Sequence, residues 1–185
     1  SKLAASQLAA GDLADACASY IKADDPDNYH TVIGTAEQME KFEDLVAYLQ
    51  MCRGKLRETR IETALLYSFA KTNALSDMEE YLSAPNSAQV QDVGDRCFQQ
   101  GLYEAAKLCY SSLSNFGDLA TTLVKLGEYS AAVDAARKAN SPKVWKQVCF
   151  ACVDAGEFKL AAMCGQQIVV VADELESLVS YYEQR

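Results

Sequence analysis

The hexapeptide GEYSAA at 127–132 recurs along the chain as GLYEAA at 101–106, GEFKLA at 156–161 and, more loosely, GDLADA at 11–16. Two further variants, KFEDLVA at 41–47 and ALSDM at 74–78, fill the gaps between them. Each is a tight turn, then a bulky residue, then small or apolar positions. The bulky residues are Leu13, Phe42, Leu75, Tyr103, Tyr129 and Phe158, separated by 29, 33, 28, 26 and 29 residues. A repeat of about 29 residues has to be read before any single element, because one supersecondary unit per repeat decides the whole fold.

Aligned on the bulky residue, the units share apolar columns with helical spacing. Three positions later stand Ala16, Leu45, Met78, Ala106, Ala132 and Ala161; seven later stand Tyr20, Leu49, Leu82, Tyr110, Ala136 and Gly165. Ten positions earlier, all six residues are aliphatic: Leu3, Val32, Leu65, Val93, Leu119 and Val148. Nine earlier come Ala4, Ile33, Leu66, Gly94, Ala120 and Cys149. Six earlier come Gln7, Ala36, Phe69, Cys97, Leu123 and Cys152, with Gln7 the single polar member.

Each unit therefore reads as two helices of about 12 residues joined by a tight turn. Gly11, Gly101, Gly127 and Gly156 suit the left-handed position that ends the first helix, with Lys41 and Asn73 standing in for glycine elsewhere. Pro26, Pro85 and Pro142 mark junctions, and Ser141-Pro142 reads as N-cap followed by the first helical position. A hairpin this small cannot bury both stripes alone, so stacked neighbours must supply a continuous core. The fold class is all-α: an α-solenoid of stacked antiparallel hairpins. Residues 1–185 read as one solenoid segment of about six hairpins plus a final helix near 173–184, without a second domain. The period is shorter than the 34 residues of TPR repeats. The β-branched run IVVV at 168–171 is expected as a helix end or connector, its strand propensity overridden by the repeat.

The 185 residues are half apolar and 23% charged, with three prolines and nine glycines, which leaves long helices permitted. The formal net charge of −9 disfavours general nucleic-acid binding. One basic cluster, Arg53, Lys55, Arg57 and Arg60, reads as a solvated turn between helices, or else as a docking patch for an acidic partner. No apolar run approaches the ~20 residues a membrane span requires, so direct membrane insertion is not expected. Both ends fall inside helical text, and the chain reads as a piece of something longer. Seven cysteines, at 17, 52, 97, 109, 149, 152 and 164, occupy apolar helical positions, as buried free thiols do in a reducing compartment.

Candidate chemistry is sparse. Cys149 and Cys152 form a CxxC, yet no second pair follows, and both lie on a buried stripe; core packing is the expectation. His30, the only histidine, has no nucleophile or carboxylate motif beside it. Asp24/Asp25 and Glu79/Glu80 are expected at turns and on the surface. Tyr103, Tyr129 and Phe158 are expected as core pegs, and Trp145, in a column shared with Tyr29, Val90 and Phe116, as structural. No phosphate-binding glycine pattern occurs. The expectation is no catalytic, cofactor-binding or metal-ligating residue, no cofactor and no enzymatic activity.

Several strings carry a specific likeness: SYIKADDP (19–26), YLQMCR (48–53), AKTN (70–73), VGDRCF (93–98), AAKLCYSSLSNFGDLATTLVKLGEYSAAVDAARKAN (105–140), WKQVCFACVDAGEF (145–158) and MCGQQIVVVADELE (163–176). Over essentially its whole length the chain resembles the clathrin heavy-chain family, in the leg leading toward the triskelion hub. The resemblance implies a structural role: legs that interweave into polyhedral coats around budding vesicles, three chains joined at a hub. It also implies light chains along the hub-proximal leg, adaptors on a terminal propeller outside this segment, and a cytoplasmic location on coated vesicles and pits. Gln167 and Val171 stand where animal members carry histidines, so a histidine-based pH response is not expected there. Cys52 and Gly54 replace alanine and lysine, which puts an electrostatic contact near 54 in doubt. The competing reading is an interaction solenoid of another vesicle-coat or tethering complex.

Overall fold

The computed structural model describes residues 2–170 and 172–184. Among them are thirteen α-helices and no strand: α1 (Lys2–Ala9), α2 (Leu13–Lys22), α3 (Tyr29–Met39), α4 (Glu43–Lys55), α5 (Thr59–Lys71), α6 (Leu75–Ser83), α7 (Val90–Gln99), α8 (Tyr103–Ser112), α9 (Phe116–Leu126), α10 (Tyr129–Ala139), α11 (Pro142–Asp154), α12 (Phe158–Ile168) and α13 (Ala172–Glu183). They form two compact units, Ser1–Ala105 and Ala106–Arg185, with the boundary inside α8. Within each unit, most helices meet a chain neighbour, and several also meet elements two places on. Thus α2 packs on α4 and α5 on α7 in the first unit; α9 packs on α11, α10 on α12 and α11 on α13 in the second. Contacts of this kind bury the second apolar stripe of each hairpin.

One hydrogen-bonding device ends the first helix of every repeat. Two positions before the bulky residue, φ is positive at Gly11, Glu40, Asn73, Gly101, Gly127 and Gly156. The next residue's N–H then turns back to a carbonyl five residues earlier: Asp12 to Gln7, Lys41 to Ala36, Ala74 to Phe69, Leu102 to Cys97, Glu128 to Leu123 and Glu157 to Cys152, all at 2.8–3.0 Å. This is the Schellman closure, which satisfies a carbonyl the helix leaves orphaned. The expectation for Lys41 is corrected by one residue. Glu40, at φ 53°, takes the left-handed position, and Lys41 donates the closing bond. Three second helices also end on a left-handed residue, Asp24, Ser114 and Asn140, each eleven positions past the bulky residue.

The stripes are buried as the alignment requires. Every residue in the column three past the bulky residue is within 1% of full burial. In the column nine before it, all six are buried. Gln7, the polar exception, accepts a 2.8 Å hydrogen bond from the Ser19 hydroxyl, so its amide is tied between α1 and α2. The IVVV run behaves as expected where described: α12 ends at Ile168, and Val169 and Val170 form a turn. Val171 lies outside the described residues.

Two expectations need correction. Phe158 is not a core peg but 64% exposed, and Tyr103 and Tyr129 are only half-buried. The reason lies in what covers the column. Phe42 is closed off by Tyr67 of the next hairpin, edge-on at 5.4 Å, and no such ring stands over Phe158 among the described residues. Here α13 packs elsewhere: Tyr181 stacks on Phe150 at 3.9 Å, and Leu178 lies over Gly165. Leu3 is likewise 64% exposed rather than on the stripe. Ser141 at the N-cap and Pro142 at the start of α11 stand as expected, without a side-chain capping bond.

Candidate functional site

The basic cluster is divided by the fold. Arg53, on the last turn of α4, turns inward, and its Nε donates to Glu62 Oε1 of α5 at 2.9 Å. Its guanidinium also lies 4.6 Å from the centre of the Tyr81 ring on α6. The Tyr81 hydroxyl donates to the other carboxylate oxygen of Glu62. Three consecutive helices thus converge on a carboxylate that is only 6% exposed. A buried charge is tolerated only when paired and hydrogen-bonded. Burial, and then the bond to Glu62, pushes the Tyr81 phenol above its ordinary range. Lys55 is also engaged, by the side chain of Asp24 and, at 2.7 Å, by its carbonyl. Arg57 and Arg60 are exposed. A groove of about 550 Å³ lies beside the cluster, lined by Arg53, Arg57, Glu62, Pro85, Asn86 and Ser87.

The repeat alignment carried a signal for this network. Thirteen positions before the bulky residue, the column holds Tyr29, Val90, Phe116 and Trp145, and its remaining member is Glu62. A carboxylate in an apolar column needs a cation, and Arg53 is a basic residue on the last turn of α4.

The cysteines are packed, as their columns require. All seven are buried. Cys149 and Cys152 are both fully buried, and the Cys149 thiol donates to the Ala161 carbonyl at 3.4 Å. Burial pushes Cys97 and Cys152 up to about 11, and Cys17 and Cys164 up to about 12. Thiols held neutral in this way are poor nucleophiles and poor metal ligands, since the thiolate is the reactive form. Among the described residues, no group of three or more His, Cys, Asp or Glu side chains is arranged to hold a metal ion.

His30 is exposed at the start of α3, its ring 3.9 Å from that of Tyr29. Glu79 and Glu80 are exposed on α6; Asp25 is half-buried and accepts the Asp27 N–H at 3.1 Å. Among the described residues, the fold therefore brings none of the sequence candidates together into a constellation. Gln167 is exposed. Trp145 is buried in the core of the second unit, with Val148, Cys149 and Cys164. No described helix is long and apolar enough to cross a membrane.

The family model for the "Region in Clathrin and VPS" matches residues 20–160. The chain belongs to the clathrin heavy-chain repeat family. It is similar over all 185 residues to the clathrin heavy chains of Drosophila melanogaster, at 56% identity, and Dictyostelium discoideum, at 54%. It is 52% identical to human "Clathrin heavy chain 2" over the same span. In each case it covers about 11% of the relative's length. As a clathrin repeat, the chain has the family's α-solenoid architecture, and the Schellman closure at a fixed register is what makes each repeat a hairpin.

Proposed function

We propose that residues 1–185 form one uninterrupted solenoid segment of a clathrin heavy-chain leg, acting as a mechanical scaffold and not as an enzyme. On this reading the chain contributes a stiff, stacked length of leg to a triskelion, and legs interweave into the polyhedral coat of vesicles on the cytosolic side of membranes. Other heavy-chain legs are its partners, with light chains along the hub-proximal part. The observation that carries the reading is likeness at 56% identity, over all 185 residues, to a protein named as a clathrin heavy chain. A scaffold role also suits the chemistry: buried neutral thiols, a paired buried carboxylate and a core built from repeat columns leave binding surfaces rather than a reaction centre.

The test is a segment exchange. Residues 1–185 replace the matching segment of a clathrin heavy chain, and the purified trimer is assembled and imaged by electron microscopy. Closed lattices of the parental kind are the expected result. Trimers that are fully folded and helical yet form no lattice would overturn the reading.

A further inference from the structure

In the first unit, α3, α5 and α7 are the first helices of three consecutive hairpins, and they line a groove of about 590 Å³. On one side the groove is closed by ordinary packing. There α5 meets α7, and the Gln89 N–H donates to Thr63 Oγ1 at 3.0 Å. On the other side α3 packs on α2 and α4 instead. A side-chain ion pair spans the groove. Arg96 of α7 donates from Nη1 to Glu37 Oε1 of α3 at 2.9 Å, linking residues 59 apart in sequence. Between them stands Tyr67 of α5, with the Arg96 guanidinium 3.7 Å from its ring centre. The Tyr67 hydroxyl donates to Gln100 Oε1 at 2.7 Å, and Lys71 reaches the same oxygen at 3.4 Å.

We propose that Glu37, Tyr67, Arg96 and Gln100 form a salt-sensitive strut that sets the spacing of α3 from α7 and so the local pitch of the repeat stack. Stacking on Tyr67 fixes the plane of the guanidinium before it meets Glu37, so less side-chain freedom is lost on pairing. The ion pair itself is 43% and 34% exposed, which makes it weak and open to screening. Those two properties together give a joint that is ordered at low salt and yields without unfolding. The inference stands apart from the assignment to a coat, because it concerns the mechanics of this unit alone.

The test places spin labels at Gln38→Cys and Gln99→Cys, both exposed, in the 185-residue chain, whose native thiols are buried. Pulsed electron-spin distances at low salt should give one narrow distribution. One molar salt, or Glu37→Gln, should broaden it and raise amide exchange in α3 by up to about fivefold, the range open to an exposed pair. Arg96→Lys, which keeps the charge and loses the planar stack, should fall between. Helicity and melting temperature should stay near the parent in all of these. A distribution that ignores both salt and Glu37→Gln would overturn the strut, and so would one that changes only together with loss of helicity.

Discussion

Arg53, Glu62 and Tyr81 show how one column entry can change the energetics of a joint. Glu62 occupies a place that is apolar in four other repeats, and its charge is held by one guanidinium and one phenol. Arg53→Ala leaves the buried carboxylate with the phenol alone and should cost about 2 kcal/mol in urea denaturation. Arg53→Met with Glu62→Leu removes both charges and should recover most of that loss, because isosteric apolar pairs often match buried ion pairs. A single variant as stable as the parent would show that the carboxylate is solvated after all. Aromatic positions are ranked by burial rather than by column. Trp145, 6% exposed, should cost about 3–5 kcal/mol on truncation to alanine. Half-buried Tyr129 should cost about half as much, and equal losses would contradict the ranking.

At the scale of the helix, the left-handed closure is the feature that repeats. A non-glycine residue there costs roughly 1–2 kcal/mol of backbone strain. Glu40, at φ 53°, carries that strain, partly offset because glycine would loosen the unfolded chain. Glu40→Gly should therefore stabilise by about 0.5–1 kcal/mol. Gly127→Ala is the reverse case. An added Cβ would meet nothing within 4 Å, so the whole cost is the φ of +76°. It should destabilise by about 1 kcal/mol, read as a lower melting midpoint with unchanged helicity. If Gly127→Ala were neutral, the α9–α10 turn would have to close in some other conformation.

Over the whole molecule, two consequences follow from a core of stacked repeats. Loss at one place should stay near it, because stability in a repeat array is close to a sum of units and neighbouring interfaces. Trp145→Ala should raise amide exchange in α9, α11 and α12 and leave α3 and α4 protected; uniform loss along the chain would refute this. The buried thiols add a pH dependence. Their folded values, about 11 to 12 for Cys17, Cys97, Cys152 and Cys164, lie above the roughly 8.5 of an unfolded thiol. The neutral form is thus favoured by folding. That stability is fully present below about pH 8.5 and is lost as pH rises toward 11–12, where the unfolded chain ionises first. Melting temperature should fall between pH 8.5 and 10.5, and less steeply in Cys17→Ala with Cys164→Ala. A flat profile would place the thiols in contact with water.

The helices, their pairing into hairpins, the period and the apolar columns could all be read from the residues alone. Those features arise from local closure and from 3.6-residue periodicity, and both are written into neighbouring residues. Glu40 was legible too, since a strict two-residue offset from Phe42 points to it rather than to Lys41. Tertiary structure alone decided which column members are covered. Phe42 and Phe158 share one position, yet burial of that position depends on a ring supplied by the following hairpin, and only Phe42 has one. The pairing of Arg53 with Glu62, and of Arg96 with Glu37 across two hairpins, was decided there as well. Long side chains reach partners set by the stacking of helices, a distance in space that no spacing along the chain encodes.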